Sequence, residues 1–350
     1  MSDSTALARM LASMDDSYQK TIGFPTYDIL AAAALRAGET EDEATAIASK
    51  LDPDNLSGAE LDGYIYPRTG QRRIAATFAE GDVTVTGTGT VSKGDLFEST
   101  GGVQFAATET VEISGSGSVH VQATTAGMVG NVGAQSVTMM PVTIPGISAV
   151  TNPKAFTGGY EAESDAAYYA RYLLRIKTPP TSGNVYHYME WALEVAGVGA
   201  VQVYPLARGD NTVDVVIINT AGLPADESLV ADVQEHIDPG GLGLGRGEAP
   251  IGAYCTVSSA TALPLTVACK LNTIATADRD TVIAAAKAAL TAYLGSIAFV
   301  QDYVSVARIG DTLLDVAGVK DYESLTVNGS TSNISVAARQ VATLGSFEVT

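Results

Sequence analysis

The chain has 350 residues, 46% of them hydrophobic, enough for more than one core, and a formal net charge of -19 with a pI near 4.4. So acidic a chain has no basic stripe to neutralise a phosphate backbone or anionic headgroups, which excludes nucleic acid and membrane as expected partners. No run approaches the ~18 apolar residues of a membrane span, and the N-terminus lacks the basic-then-apolar layout of a secretory signal, so a cytoplasmic chain is expected.

Residues 5–62 read as short helices with acidic connectors, carrying 11 acidic against 4 basic residues. An alanine-rich helix is expected over Tyr27–Ala37, stopped by Gly38, and another over Glu39–Leu51, stopped by Asp52 and Pro53. Helices this short and charged bury little by themselves, so residues 1–62 are expected to be an arm that docks on a partner through Leu7, Met10, Leu11, Ile29, Leu30 and Leu35.

From about Tyr64 the composition turns to Thr, Val, Gly and Ser. The runs DVTVTGTGTV at 82–91 and GSVHVQAT at 117–124 alternate with period two between glycines, the pattern of half-buried strands in an antiparallel sheet. A small β domain over 63–150 is expected.

Beyond Pro145 helices and strands alternate. Glu161, Glu163 and Asp165 precede a helix through Tyr169 and Ile176, and a second helix is expected from Ser182, with Val185, Tyr188, Met189, Ala192 and Leu193 on one face. Strands over 200–204 and 212–218 and a helix over 226–237 follow. GGLGLGRG at 240–247 reads as a mobile loop, after which come strands over 254–258 and 265–271 and helices over 278–294 and 304–316. Asn328-Gly329 supplies the two positive φ values of a type I′ turn, so a terminal hairpin is expected. The fold class is therefore α+β multidomain: a helical N-terminal arm, a small antiparallel β domain over 63–150, then two α+β domains over 151–255 and 256–350, the last with a β-hairpin.

Candidate chemistry is sparse. DPDNLSGAELD at 52–62 has Leu56 and Ser57 where a calcium loop needs a ligand and a glycine, and a capping turn is the better reading. The glycines of 240–247 lack the Lys-Ser or Lys-Thr of a phosphate loop. Cys255 and Cys269 lie in strand-like runs and read as buried thiols, while His120, His187 and His236 are too scattered for metal spacing. Trp191 sits on an amphipathic helix and reads as packing. No GxSxG or HExxH occurs, so no catalytic, cofactor or metal residue is assigned and the chain is read as a non-enzyme.

The stretches TNPKAFTGGYEAESDAAYYARYLLR, SGNVYHYMEWALEVAGVGAVQVYP, LVADVQEHIDP and EAPIGAYCTV, in this order, resemble the core of the baseplate J family. YQKTIGFPTYDILAAAAL and LDGYIYPRTGQRR upstream, and YVSVARIGDTLLDVAGVKDYESLTVNGSTSNISV downstream, are similar to its smaller, prophage-type members, so the likeness covers nearly the whole chain. It implies a structural wedge subunit of a contractile tail, in a phage or a phage-tail-like bacteriocin, that assembles in the host cytoplasm. It also implies a ring of copies around a central hub and spike, with smaller wedge proteins and the sheath as further partners.

Two joints are expected to absorb rotation when the baseplate opens: Pro145, Gly146, Gly158 and Gly159, and Gly240, Gly241, Gly243, Gly245 and Gly247. Two other classes compete. A receptor- or glycan-binding module would need exposed aromatics among Tyr64, Tyr66, Phe78, Phe97 and Phe105, and a tail-associated hydrolase would need a convergent polar pocket.

Overall fold

The computed structural model describes residues 3–178 and 181–350. It divides into two compact units, Met1–Arg72 and Arg73–Thr350.

In the first unit α1 (Asp3–Ser13) packs on α2 (Pro25–Ser49). Pro25 opens α2, where its missing N–H costs nothing. The expected break at Gly38 is absent, and α2 runs straight through it. Gly38 and Ala34, one turn apart, are buried, as is Ala6 of α1; small side chains let helices approach closely, which offsets the ~1 kcal/mol that a mid-helix glycine costs. The Asp52 carboxylate accepts from the Asp54 N–H at 3.1 Å and starts a single 3₁₀ turn, so the calcium-like stretch is a cap. Helix α3 (Gly58–Thr69) then extends into residues whose composition suggested sheet, and Gly70 ends it at φ 74°.

The second unit begins with an antiparallel sheet of β1 (Glu80–Val91), β2 (Leu96–Ser99), β3 (Gln104–Ala107), β4 (Val111–Ala123), β5 (Val137–Met139) and β6 (Ile147–Thr151), in the order β5-β2-β3-β4-β1-β6. The alternation seen in the sequence becomes the register Val83↔Val119 and Val85↔Gly117, with Val83, Val85, Val119 and Val121 turned onto Phe97, Phe105 and Phe156. Gly146 is required where β6 crosses β1: a Cβ there would lie 1.9 Å from the Thr88 carbonyl oxygen. The ends of the sheet meet, because Gln135 N–H donates to the Asn152 carbonyl at 2.7 Å and Val137 N–H to Asn152 Oδ1 at 2.8 Å. The sheet is thus a nearly closed barrel.

Next come α4 (Asp165–Lys177), α5 (Val185–Glu194), β7 (Val198–Pro205), β8 (Thr212–Asn219), α6 (Glu227–Ile237) and β9 (Tyr254–Ser259). Ser164, Asn184 and Asp226 cap the three helices by accepting from Ala167, His187 and Leu229 N–H groups. The second helix therefore starts after Asn184, not at Ser182, whose φ of 49° places it in the preceding turn. Strand β8 pairs antiparallel with β7 and parallel with β9, the parallel step being carried by α6. Tyr188, Trp191, Val215, Ile217, Leu229, Val233 and Cys255 form the core, so Trp191 is packing.

The last segment holds β10 (Thr261–Thr273), α7 (Arg279–Ile297), β11 (Tyr303–Val304), α8 (Val306–Leu314), β12 (Val319–Val327), β13 (Ile334–Ser335) and β14 (Gln340–Val349). Its sheet runs β12-β10-β14, with Leu265, Val267, Leu290, Leu294, Ile309 and Leu313 buried between sheet and helices. The terminal hairpin turn forms, with φ 51° at Asn328 and 73° at Gly329, and Val327 and Ser330 exchange backbone hydrogen bonds of 2.8 and 3.0 Å. Its ladder stops there, and β13 pairs with β11 instead.

Candidate functional site

The six residues expected on the partner face of the arm divide by exposure. Leu7, Met10, Leu11 and Leu30 are half-buried, whereas Ile29 is 67% and Leu35 50% exposed. Ile47 is exposed too and shares the side of Ile29, since a whole number of turns of about 3.6 residues separates them.

The glycine-rich segment is held by one carboxylate. Asp238, 2% exposed, accepts from the N–H groups of Gly243 and Cys255, each at 3.1 Å. Gln234 Oε1 accepts from Val257 N–H at 2.8 Å, and its Nε2 donates to the carbonyls of Asp238 and Cys255. These side chains satisfy β9 backbone groups that no strand pairs with, and so blunt an edge. Glycine is needed because φ is 71° at Gly240, 66° at Gly241, 64° at Gly243 and 63° at Gly245. The segment read as mobile is thus tied to α6 by hydrogen bonds, and Gly247 packs on the His236 and Ile237 carbonyls. The other candidate joint is also packed: Pro145 and Gly146 lie against Gly89 and Thr88, Gly158 accepts from Thr77 Oγ1 at 2.6 Å, and Gly159 exchanges two hydrogen bonds with the Asn131 side chain.

This stapled loop presents apolar side chains to solvent. Leu242 is 57%, Leu244 49% and Ile251 85% exposed, and Leu206 in the adjoining β7–β8 turn is 64% exposed. The turn and the loop are joined where Tyr254 N–H donates to the Asn211 carbonyl at 2.8 Å. A preorganised apolar tip of this kind suits contact with another protein better than chemistry.

Among the described residues the buried carboxylates of Glu190, Asp214 and Asp238 each have ion-pair or hydrogen-bond partners. Glu163 is locked to Arg171, and Asp214 to Arg208 and Arg339. Burial, then Asp238 and Asp214, pushes the Cys255 thiol up to about 12, so it is no thiolate nucleophile at neutral pH. Burial likewise takes Tyr160 and Tyr188 to about 12. Among the described residues no three His, Cys, Asp or Glu side chains are grouped to hold a metal.

Residues 82–159 match the Baseplate J-like protein barrel domain, 180–259 the Baseplate J-like central domain, and 265–350 the Baseplate J-like protein C-terminal domain. The chain belongs to the baseplate J-like family. It is 29% identical over 343 residues to the uncharacterized protein YqbT of Bacillus subtilis strain 168, covering 97% of this chain and 95% of that one. It is 30% identical over 207 residues to the phage-like element PBSX protein XkdT of the same organism, covering 59% of each chain. It is 34% identical over 209 residues to baseplate protein gp47 of Escherichia phage Mu, covering 56% of this chain and 57% of gp47. A chain of the anti-feeding prophage baseplate aligns at TM-score 0.44 and 12% identity, over 98% of this chain and 90% of that chain.

The family's barrel domain is the sheet closed by Asn152, and its central domain carries the apolar tip. Sequence reading missed the partners that Asn152, Glu163, Asp214, Asp238 and Arg339 find. Asp238 bore a local signal, an acidic residue between a helix and a proline, but the Asp214–Arg339 pair spans 125 positions and has none.

Proposed function

We propose that this baseplate J-like protein is a non-catalytic wedge subunit of a contractile tail, of a phage or a phage-tail-like particle, and that it couples baseplate opening to sheath contraction. The family assignment makes it a baseplate structural protein; the stapled apolar tip is the observation that supports a role in contact-driven assembly. On this reading the chain forms a ring with its own copies around the hub and spike, residues 1–62 bind a smaller wedge protein through Ile29, Leu35 and their neighbours, and the sheath lies beyond. Assembly takes place in the host cytoplasm, and the mature location is the baseplate. The four-part division at 62, 150 and 255 and the two glycine joints belong to the same reading. A glycan-binding role draws less support: of the five aromatics it would use, Phe97 and Phe105 are spent in the barrel core and Tyr64 is half-buried, which leaves Tyr66 and Phe78 exposed.

Deleting residues 1–62 from the gene in a particle-producing strain tests the arm. The expected result is a folded, soluble chain missing from purified particles. Particles that still contain the shortened chain at the tail end, by immunogold electron microscopy, sink the arm's role; full-length chain absent from all tails sinks the baseplate reading itself.

A further inference from the structure

We propose that Arg339 is a releasable latch that sets the angle between the central domain and the C-terminal domain. The inference rests on geometry alone and does not depend on the baseplate reading. Asp214, on β8, is 7% exposed and lies between two guanidinium groups: Arg208 Nε donates to Oδ1 at 2.8 Å, and Arg339 Nη1 donates to Oδ2 at 2.8 Å. Arg339, just before β14, also lies over the Tyr204 ring of β7, 4.3 Å from its centroid. Its carbonyl accepts from Thr261 N–H at 2.9 Å, at the first residue of β10. One residue thus grips the central domain with its side chain and the C-terminal sheet with its backbone.

Three features make the grip releasable. The backbone of Arg339 is left-handed, at φ 65°, and Phe299, at the same seam, is left-handed at φ 60°. Non-glycine residues stay in that region only where their surroundings hold them there, and for Arg339 the hold is the turn bond from Gln340 N–H to the Ala337 carbonyl at 3.1 Å together with Asp214 and Tyr204. Second, the apolar contact across the seam is a modest cluster, made of Val216, Ile218, Ala260, Ala298 and Val341 with Ala200, Tyr204 and Phe299 at its rim, beside a close approach of Gly222 to Gly295. Third, Arg208 stays on Asp214 when Arg339 departs, so release leaves no buried charge without a partner. The chain crosses the seam covalently at Ala260, between β9 and β10, where rotation would occur.

The test uses the full chain with nitroxide labels at Glu235→Cys on α6 and Ala285→Cys on α7, both exposed sites; the native Cys255 and Cys269 are buried. Double electron–electron resonance should give one narrow distance for the latched protein. Arg339→Gly, which removes the guanidinium and accommodates the positive φ, and Asp214→Asn should each add a second, broad population. Exchange of the Ala260 and Thr261 amides should accelerate at least tenfold. An unchanged narrow distance in both variants, with circular dichroism like that of the parent, overturns the proposal. If Asp214→Asn alone unfolds, the half-exposed Arg339→Gly decides.

Discussion

Glu163 and Arg171 meet in two parallel hydrogen bonds of 2.8 Å, with side chains 8% and 5% exposed. Glu163 Oε2 also accepts from Ile74 N–H at 3.0 Å, and Glu163 N–H donates to the Ile74 carbonyl at 2.9 Å. The chain entering the barrel and the chain leaving it are thereby bound side by side. Arg171→Ala leaves a buried carboxylate without its main partner and should destabilise by about 3–5 kcal/mol in denaturant unfolding. Replacing both residues with apolar ones should cost less than Arg171→Ala; a cost under ~1 kcal/mol for Arg171→Ala would mean that the pair holds nothing.

Asn152 substitutes for a missing strand. It is fully buried, Oδ1 takes the Val137 N–H, and Nδ2 donates to the Gly133 and Lys154 carbonyls at 2.8 and 2.7 Å. Asn152→Ala should cost about 1–3 kcal/mol, because the buried Val137 N–H loses its partner and two further hydrogen bonds, to the Gly133 and Lys154 carbonyls, are lost with it. Hydrogen exchange should locate the damage: the Val137 amide accelerates while α7 amides keep their protection. Unchanged protection at Val137 would refute the seam.

His120 is poised between two carboxylates on the outside of the barrel, with Nδ1 2.8 Å from Asp82 and Nε2 3.5 Å from Glu80. The hydrogen bond to Asp82 raises its pKa above 6.5 against the opposing effect of burial, and Glu80 adds to the rise. A raised folded value means that the imidazolium stabilises the fold fully below the unfolded value and that this contribution fades as pH climbs through the folded one. A histidine proton-resonance titration should give a midpoint above 6.5, and Asp82→Asn should bring it down. A midpoint at or below 6.5 in the parent chain would contradict the geometry.

The apolar tip separates assembly from stability. Ile251→Asp and Leu206→Asp change exposed residues and should shift unfolding by no more than about 0.5 kcal/mol. Incorporation into particles should nevertheless fail. Asp238→Ala, by contrast, should lower both, since it releases the Gly243 and Cys255 amides. Normal incorporation of both Asp variants would remove the tip from the assembly surface.

Local patterns determined most of the secondary structure. Period-two alternation of Val with polar residues or glycine marked β1 and β4, and 3.6-residue spacing marked α5 and α6, with acidic residues ahead of α4, because side-chain direction along a strand or helix depends only on nearest positions. The family motifs were legible for the same reason: they are turns, caps and stripes. Gly38 was misread because a glycine's cost to a helix is local, whereas the burial that offsets it is not. The bonds that tie down the glycine-rich loop were not legible because positive φ looks alike whether the segment is free or stapled. Barrel closure at Asn152, the loop's anchorage on Asp238 and the pairing of Asp214 with Arg339 were decided by tertiary structure alone, since a buried polar side chain is defined by partners brought to it from distant parts of the chain.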